Sequence, residues 1–202
     1  TSFLTMIGAK SIRCEWVFFA DYLGTRAEAQ ALLNQYASVF SFAWNAAVEI
    51  ANEPFKNLHF NVYDLIVPPG WLWASGDYSD HLPQHGDYVT YHTDRKPDWP
   101  RTPRSLAEIR DDINGGTHCP VVADEPTGAA EVPRGDSRSS TPDDFAYYAA
   151  CAQQMGAGAT FHSDDGIASR LLGPVQFQCA EAFFNALRYI PVKAQFAPYV
   201  RG

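Results

Sequence analysis

Glu53, Asp77, His92, Glu125 and His162 each lie at the end of a short run rich in apolar or β-branched residues. Carboxylates and imidazoles are the side chains that move protons and bind metals near neutral pH. Two glutamates and two histidines on separate runs make a constellation, and the C-terminal ends of the strands are where a (β/α)-barrel places its chemistry. Asp124 and Glu125 are neighbours, so on a strand they point to opposite faces. Glu125 is the one expected to enter the site. Trp71 and Trp73 alternate with Leu72 and share a face, where they either stack on sugar rings or pack against neighbouring helices. His81, His85, His92, Asp94, His162, Asp164 and Asp165 also carry metal-ligand atoms. Their spacing matches no tight ligand motif such as HExxH, which leaves a metal-dependent hydrolase as a lesser alternative.

The elements that would position these residues alternate between two periods. Ser11 to Ala20 is aromatic and β-branched and reads as a strand. Thr25 and Glu28 form a capping box, and Ala29, Leu32, Leu33, Tyr36 and Phe40 then keep helical spacing. Ala46 to Ala51 reads as a strand ending in Asn52-Glu53-Pro54. A short helix is expected over Leu58 to Leu65, stopped by Pro68, Pro69 and Gly70. Strands follow at Trp71 to Ser75, Tyr88 to His92 and Pro120 to Ala123, the last running into Asp124-Glu125. Ser105 and Glu108 open a helix to about Ile113, and Glu131 to Ser140 reads as a mobile polar loop. Thr141 caps a helix that has Pro142 at its first position and runs to about Met155. Ala157 to His162 is a sixth strand. Pro174 opens a last helix, with Val175, Cys179, Ala182, Phe183, Ala186, Leu187 and Ile190 on one stripe.

Six strands alternating with helices predict an α/β fold with a parallel sheet and helices outside, in a single domain over residues 1–202. No glycine-rich phosphate loop follows the first strand, which disfavours a nucleotide-binding unit. Two unpaired parallel edges would favour homo-oligomers.

Asn52-Glu53-Pro54 after Glu49-Ile50-Ala51 resembles the Asn-Glu-Pro signature of the clan A (β/α)8 retaining glycoside hydrolases, of the family 5-like kind. The resemblance implies a TIM-barrel-like fold, with about six βα units in this chain and the first two lacking. It implies Glu53 as acid/base at the end of strand 4 and Glu125 as nucleophile at the end of strand 7. Asn52, His92, Trp71, Trp73 and His162 would bind a carbohydrate substrate. One carboxyl would protonate the leaving oxygen while the other attacks the anomeric carbon, with the pair about 5–5.5 Å apart. No cofactor is implied. A non-catalytic carbohydrate-binding or structural module derived from such a barrel is the alternative.

Composition sets outer limits. The chain has 202 residues, 46% hydrophobic and 19% charged, enough to build a core. A net charge of −8 argues against a general nucleic-acid binder and against attachment to anionic membranes. No apolar run is long enough to span a bilayer, and the start lacks the layout of a signal peptide. A cytoplasmic or virion-associated location is therefore expected. Cys14, Cys119, Cys151 and Cys179 contain no CxxC pair. They read as buried thiols, with a Cys151–Cys179 disulfide as the alternative.

Overall fold

Aromatic and β-branched side chains suit a pleated surface covered by a helix, and three such segments associate in the N-terminal part of the chain. The computed structural model describes residues 2–9, 13–20, 22–41, 43–54, 58–76, 85–92, 120–125, 141–154, 157–161 and 174–189. Its contacts group into two compact units, Thr1–Tyr91 and His92–Gly202. The fold is α/β, built of parallel strands and helices.

The first unit contains α1 (Ser2–Gly8), β1 (Cys14–Phe19), α2 (Arg26–Phe40), β2 (Ala46–Ala51), a single 3-10 turn (Val62–Asp64) and β3 (Trp73–Gly76). β4 (Val89–His92) follows across the unit boundary. The strands lie in the order β1-β2-β3, all parallel. The register sets Trp16 beside Val48, Phe19 beside Ala51, Val48 beside Trp73 and Ala51 beside Gly76. Strand alternation therefore places Trp16, Phe18, Val48, Ile50, Trp73 and Ser75 on one face. That face packs on α2. Phe40 meets Trp16 and Phe18 edge-on at 5.7 and 5.6 Å, and Tyr36 meets Phe18 at 5.7 Å.

Among the described residues no parallel strand pairs with β3 on the side away from β2. Residues 85–87 run antiparallel along its outer edge, with Ala74 bridged to Gly86. Ser75 N–H donates to the His85 carbonyl at 2.8 Å, and Asp87 N–H donates to the Trp73 carbonyl at 2.7 Å. A Cβ on Gly86 would lie 2.3 Å from the Trp73 oxygen, so the approach requires glycine.

The second unit contains β5 (Val121–Glu125), α3 (Pro142–Gln154), β6 (Gly158–Ala159) and α4 (Pro174–Tyr189). β5 and β6 pair in parallel, Val122 beside Gly158 and Ala123 beside Ala159. Phe145, Tyr148, Ala149, Ala152, Cys179 and Phe183 form the seam between α3 and α4. Phe161 adds its ring to Phe145 and Phe183 at 5.1 and 5.9 Å. Cys179 is a buried thiol whose pKa is raised by desolvation and then by the nearby Asp144 carboxylate.

Most expected elements form, with four differences. α1 was not expected: it is seven residues long, and it is held where Leu4 and Ile7 are buried in the core and Asn45 Nδ2, buried, donates to the Leu4 carbonyl at 2.8 Å. Of the helix expected over Leu58 to Leu65 there is the 3-10 turn, initiated by the Asn61 side chain accepting from Tyr63 N–H at 3.0 Å. β3 starts at Trp73 rather than Trp71, and β6 is two residues long. The expected helix from Ser105 and the loop from Glu131 to Ser140 lie outside the described residues. Among the described residues no helix is long and apolar enough to cross a membrane.

The two expected caps that fall on described residues form, while the Ser105–Glu108 box lies outside them. Thr25 N–H donates to Glu28 Oε2 at 2.8 Å and Glu28 N–H donates to Thr25 Oγ1 at 3.3 Å. Thr141 and Asp144 repeat the exchange at 2.8 and 3.2 Å. Hydrogen bonds from the Thr25 backbone, and then from its side chain, lower the Glu28 pKa. Thr25→Ala is expected to lower unfolding free energy by about 1 kcal/mol in urea titrations. The Glu28 contribution is complete above the ordinary glutamate range and disappears as pH falls through its lowered folded value. Glu28→Gln should therefore flatten that limb of the stability–pH curve.

Candidate functional site

Parallel strands bring their C-terminal ends to one edge, and in the first unit that edge is formed by Phe19, Ala51 and Gly76. The ladder runs one residue past β2, where Asn52 N–H donates to the Phe19 carbonyl at 2.9 Å. The chain then turns sharply. Glu53 has φ = +42°, the one positive φ at a non-glycine residue among the described residues. Pro54 is buried and opens a helical turn, its carbonyl accepting from Leu58 N–H at 3.0 Å. Asn52 and Glu53 are both half-buried.

Gly76 completes this edge. A Cβ there would stand 2.4 Å from the Ala51 oxygen and 2.8 Å from Pro54 Cδ. Only a residue without a side chain lets β3 approach the turn carrying Glu53 this closely. Tyr22, following β1, packs its ring on Phe19 at 4.8 Å and meets Phe60 edge-on at 6.4 Å.

A second acidic feature lies on the sheet face opposite α2, and sequence reasoning missed it. Glu15 pairs with Ala47, so Glu15 and Glu49 occupy diagonal positions on that face. Glu49 is 0% exposed, and its Oε1 accepts from Thr90 Oγ1 of β4 at 3.5 Å. A carboxylate is kept in such surroundings by hydrogen bonds or by a bound proton. The available signal was a charged residue in the middle of the apolar run Ala46 to Ala51.

The other expected site residues divide by position. Trp71 is 4% exposed, precedes β3, and points to α2: its Nε1–H donates to the Ala37 carbonyl at 3.1 Å. Its ring stacks on Phe18 at 5.3 Å and meets Phe40 edge-on at 5.2 Å. Of the two roles weighed for it, packing against a helix is the one it takes, because the indole is at the opposite end of β3 from Gly76. Trp73 opens β3 on the same α2 side, packs against the core and lines a cavity. His92 ends β4 and Glu125 ends β5; their side chains, and His162 entirely, lie outside the described residues. Glu53 belongs to the first unit and Glu125 to the second. Asn52 and Glu53 are thus the expected residues that the described structure sets side by side. Among the described residues no group of three or more His, Cys, Asp or Glu could hold a metal ion.

No protein-family model matches the chain, and no curated protein matches it. A solved structure of a Schiff base-forming fructose-1,6-bisphosphate aldolase is similar at 13% identity with a TM-score of 0.37. The similarity covers 77% of this chain and 66% of the aldolase chain, just under two thirds of its length. These findings correct the family 5-like, clan A glycoside hydrolase resemblance. The expected glycosidase activity, its retaining mechanism and the glycosidase-derived binding module are withdrawn with it. Asn52-Glu53-Pro54 is a short motif that also has a structural reason: it ends a strand and turns the chain through a left-handed residue into a helical turn.

Two substitutions test this geometry. Gly76→Ala should cost about 1–3 kcal/mol through overpacking against Ala51 and Pro54, read by thermal or urea unfolding. Trp71→Ala should cost about 3–5 kcal/mol as a core truncation.

Proposed function

We propose that the chain is an enzyme of the parallel α/β class, with its reaction centre on the C-terminal edge of β1–β3 and Glu53 as general acid/base. The observation that carries this reading is the backbone of Glu53. A left-handed non-glycine residue costs on the order of 1–3 kcal/mol and persists where the surroundings over-determine it, which is a frequent property of active sites. Here it sits at the strand end where parallel α/β proteins place their chemistry. The Gly76 approach and the buried Pro54 hold the turn from both sides. Asn52, next to it, supplies an amide able to orient a polar substrate group. The reaction class is proton transfer to or from a bound substrate, for which a positioned carboxyl contributes typically 10²–10⁴-fold. The finer form of the fold is a (β/α)-barrel, supported by three successive strands lying adjacent and parallel.

The test separates strain from chemistry. Glu53→Gly should raise unfolding free energy by about 1 kcal/mol, since glycine adopts positive φ without penalty. Glu53→Gln should keep the wild-type fold and lower turnover at least about 100-fold on any substrate found by mass-spectrometric screening of a metabolite panel. A destabilised Glu53→Gly variant, or a substrate consumed equally fast by Glu53→Gln, would reject the assignment.

A further inference from the structure

The connection from β2 to β3 crosses the α2 side of the sheet, and over residues 58–72 it contains the 3-10 turn but no α-helix. A crossover helix would fill that side with a continuous ridge of side chains. The short turn leaves a partly open cavity of about 110 Å³. Its floor is Ile50, Trp73 and Ser75 from the sheet, its wall includes Tyr63 and Val67 from the connection, and His85 stands at its rim. The connection is fixed over it. Gln30 of α2 donates from Nε2 to the Ile66 carbonyl and accepts from Ile66 N–H at Oε1, both at 2.8 Å.

The lining has a distinct chemistry. Ser75 is 2% exposed, and its Oγ accepts from the His85 backbone N–H at 3.1 Å. Its hydroxyl is also hydrogen-bonded to the Tyr63 side chain. Burial raises the Tyr63 pKa more than the Ser75 bond lowers it, so the phenol is neutral at physiological pH. The Tyr63 and His85 rings lie 4.5 Å apart at 49°. Aromatic and aliphatic walls surround a hydroxyl pair, and among the described residues the lining contains no carboxylate, lysine or arginine. Each hydroxyl offers one donor and two acceptor positions, enough for a ligand hydroxyl beside the existing bonds. Charged ligands would be desolvated there without a counter-charge. A cavity of about 150 Å³ encloses benzene, so at about 110 Å³ this one would take a ring only in part, with one edge left in the opening.

We propose that the cavity between the β2–β3 connection and the sheet is a binding site for a neutral phenol-like ring, its hydroxyl on the Ser75–Tyr63 pair and its face against Trp73. The site is independent of the reading of Glu53. Larger ligands would extend outward past His85.

Calorimetric titration of phenol and of benzene into the full chain tests this. Phenol should bind saturably at one equivalent and about tenfold more tightly than benzene, the worth of one hydrogen bond. Ser75→Ala should reduce that preference at least threefold. Val67→Phe, at a half-buried wall position, should abolish phenol binding while circular dichroism shows a folded protein. If Val67→Phe fails to fold, Val67→Leu should weaken binding in its place. Absence of saturation, equal affinity for phenol and benzene, or unchanged binding to the folded wall variant would overturn the proposal.

Discussion

The indole of Trp71 ties together the parts on which the rest of the first unit depends. Its ring fills the space between Phe18 of β1 and Phe40 of α2, and its N–H is bonded to the helix backbone at Ala37. Because it lies two residues before β3, anchoring it fixes where β3 begins. The register that sets Val48 beside Trp73 then carries Gly76 to Ala51. That close approach leaves no room for a side chain at position 76, beside Pro54 and the turn in which Glu53 takes its left-handed backbone. A packing interaction at one end of a strand thus determines geometry at the other. Aromatic contacts suit this role because their offset and edge-on arrangements are directional as well as apolar.

The sequence is legible where the physics is local. The Thr25–Glu28 box marks the start of α2, and Pro142 after Thr141 marks the start of α3. β2 has the expected bounds because its apolar run is closed by Asn52 and Pro54. The expected parallel pairing is present in both units. The segment before β3 was harder. Trp71-Leu72-Trp73 has the alternation of a strand, yet Trp71 belongs to the aromatic layer on α2. Which way an indole points depends on long-range register, which alternation alone does not encode. α1 is held by tertiary contacts, with Leu4 and Ile7 buried in the core and Asn45, 41 residues from Leu4, bonded to its backbone, and seven residues are too few to show a helical period.

For the site, position was legible and chemistry was less so. That Glu53 ends a strand follows from the residues around it; the family inference drawn from the same tripeptide did not survive comparison. Three residues that must stop a strand, turn left-handed and start a helical turn are constrained by backbone geometry before any reaction is considered. Glu49 shows the opposite failure. Its complete burial beside Thr90 makes it the less ordinary carboxylate, and that burial is set by strand pairing, which the run Ala46 to Ala51 does not show by itself. Its face of the sheet, with Glu15 one diagonal away, places two carboxyl groups on the side opposite α2.

The antiparallel strap over β3 also bears on the order in which this unit assembles. Ala74 and Gly86 are about a dozen residues apart, whereas Cys14 and Ala46 of the parallel pair are separated by about thirty. Closing the shorter loop costs roughly 0.6–0.9 kcal/mol less chain entropy. Residues 73–87 can therefore close on themselves before β1 finds β2, so that the parallel strands dock onto an edge already protected from other chains. Among the described residues the strap occupies the edge of β3 that β2 leaves free, where exposed backbone groups would otherwise invite pairing with another chain.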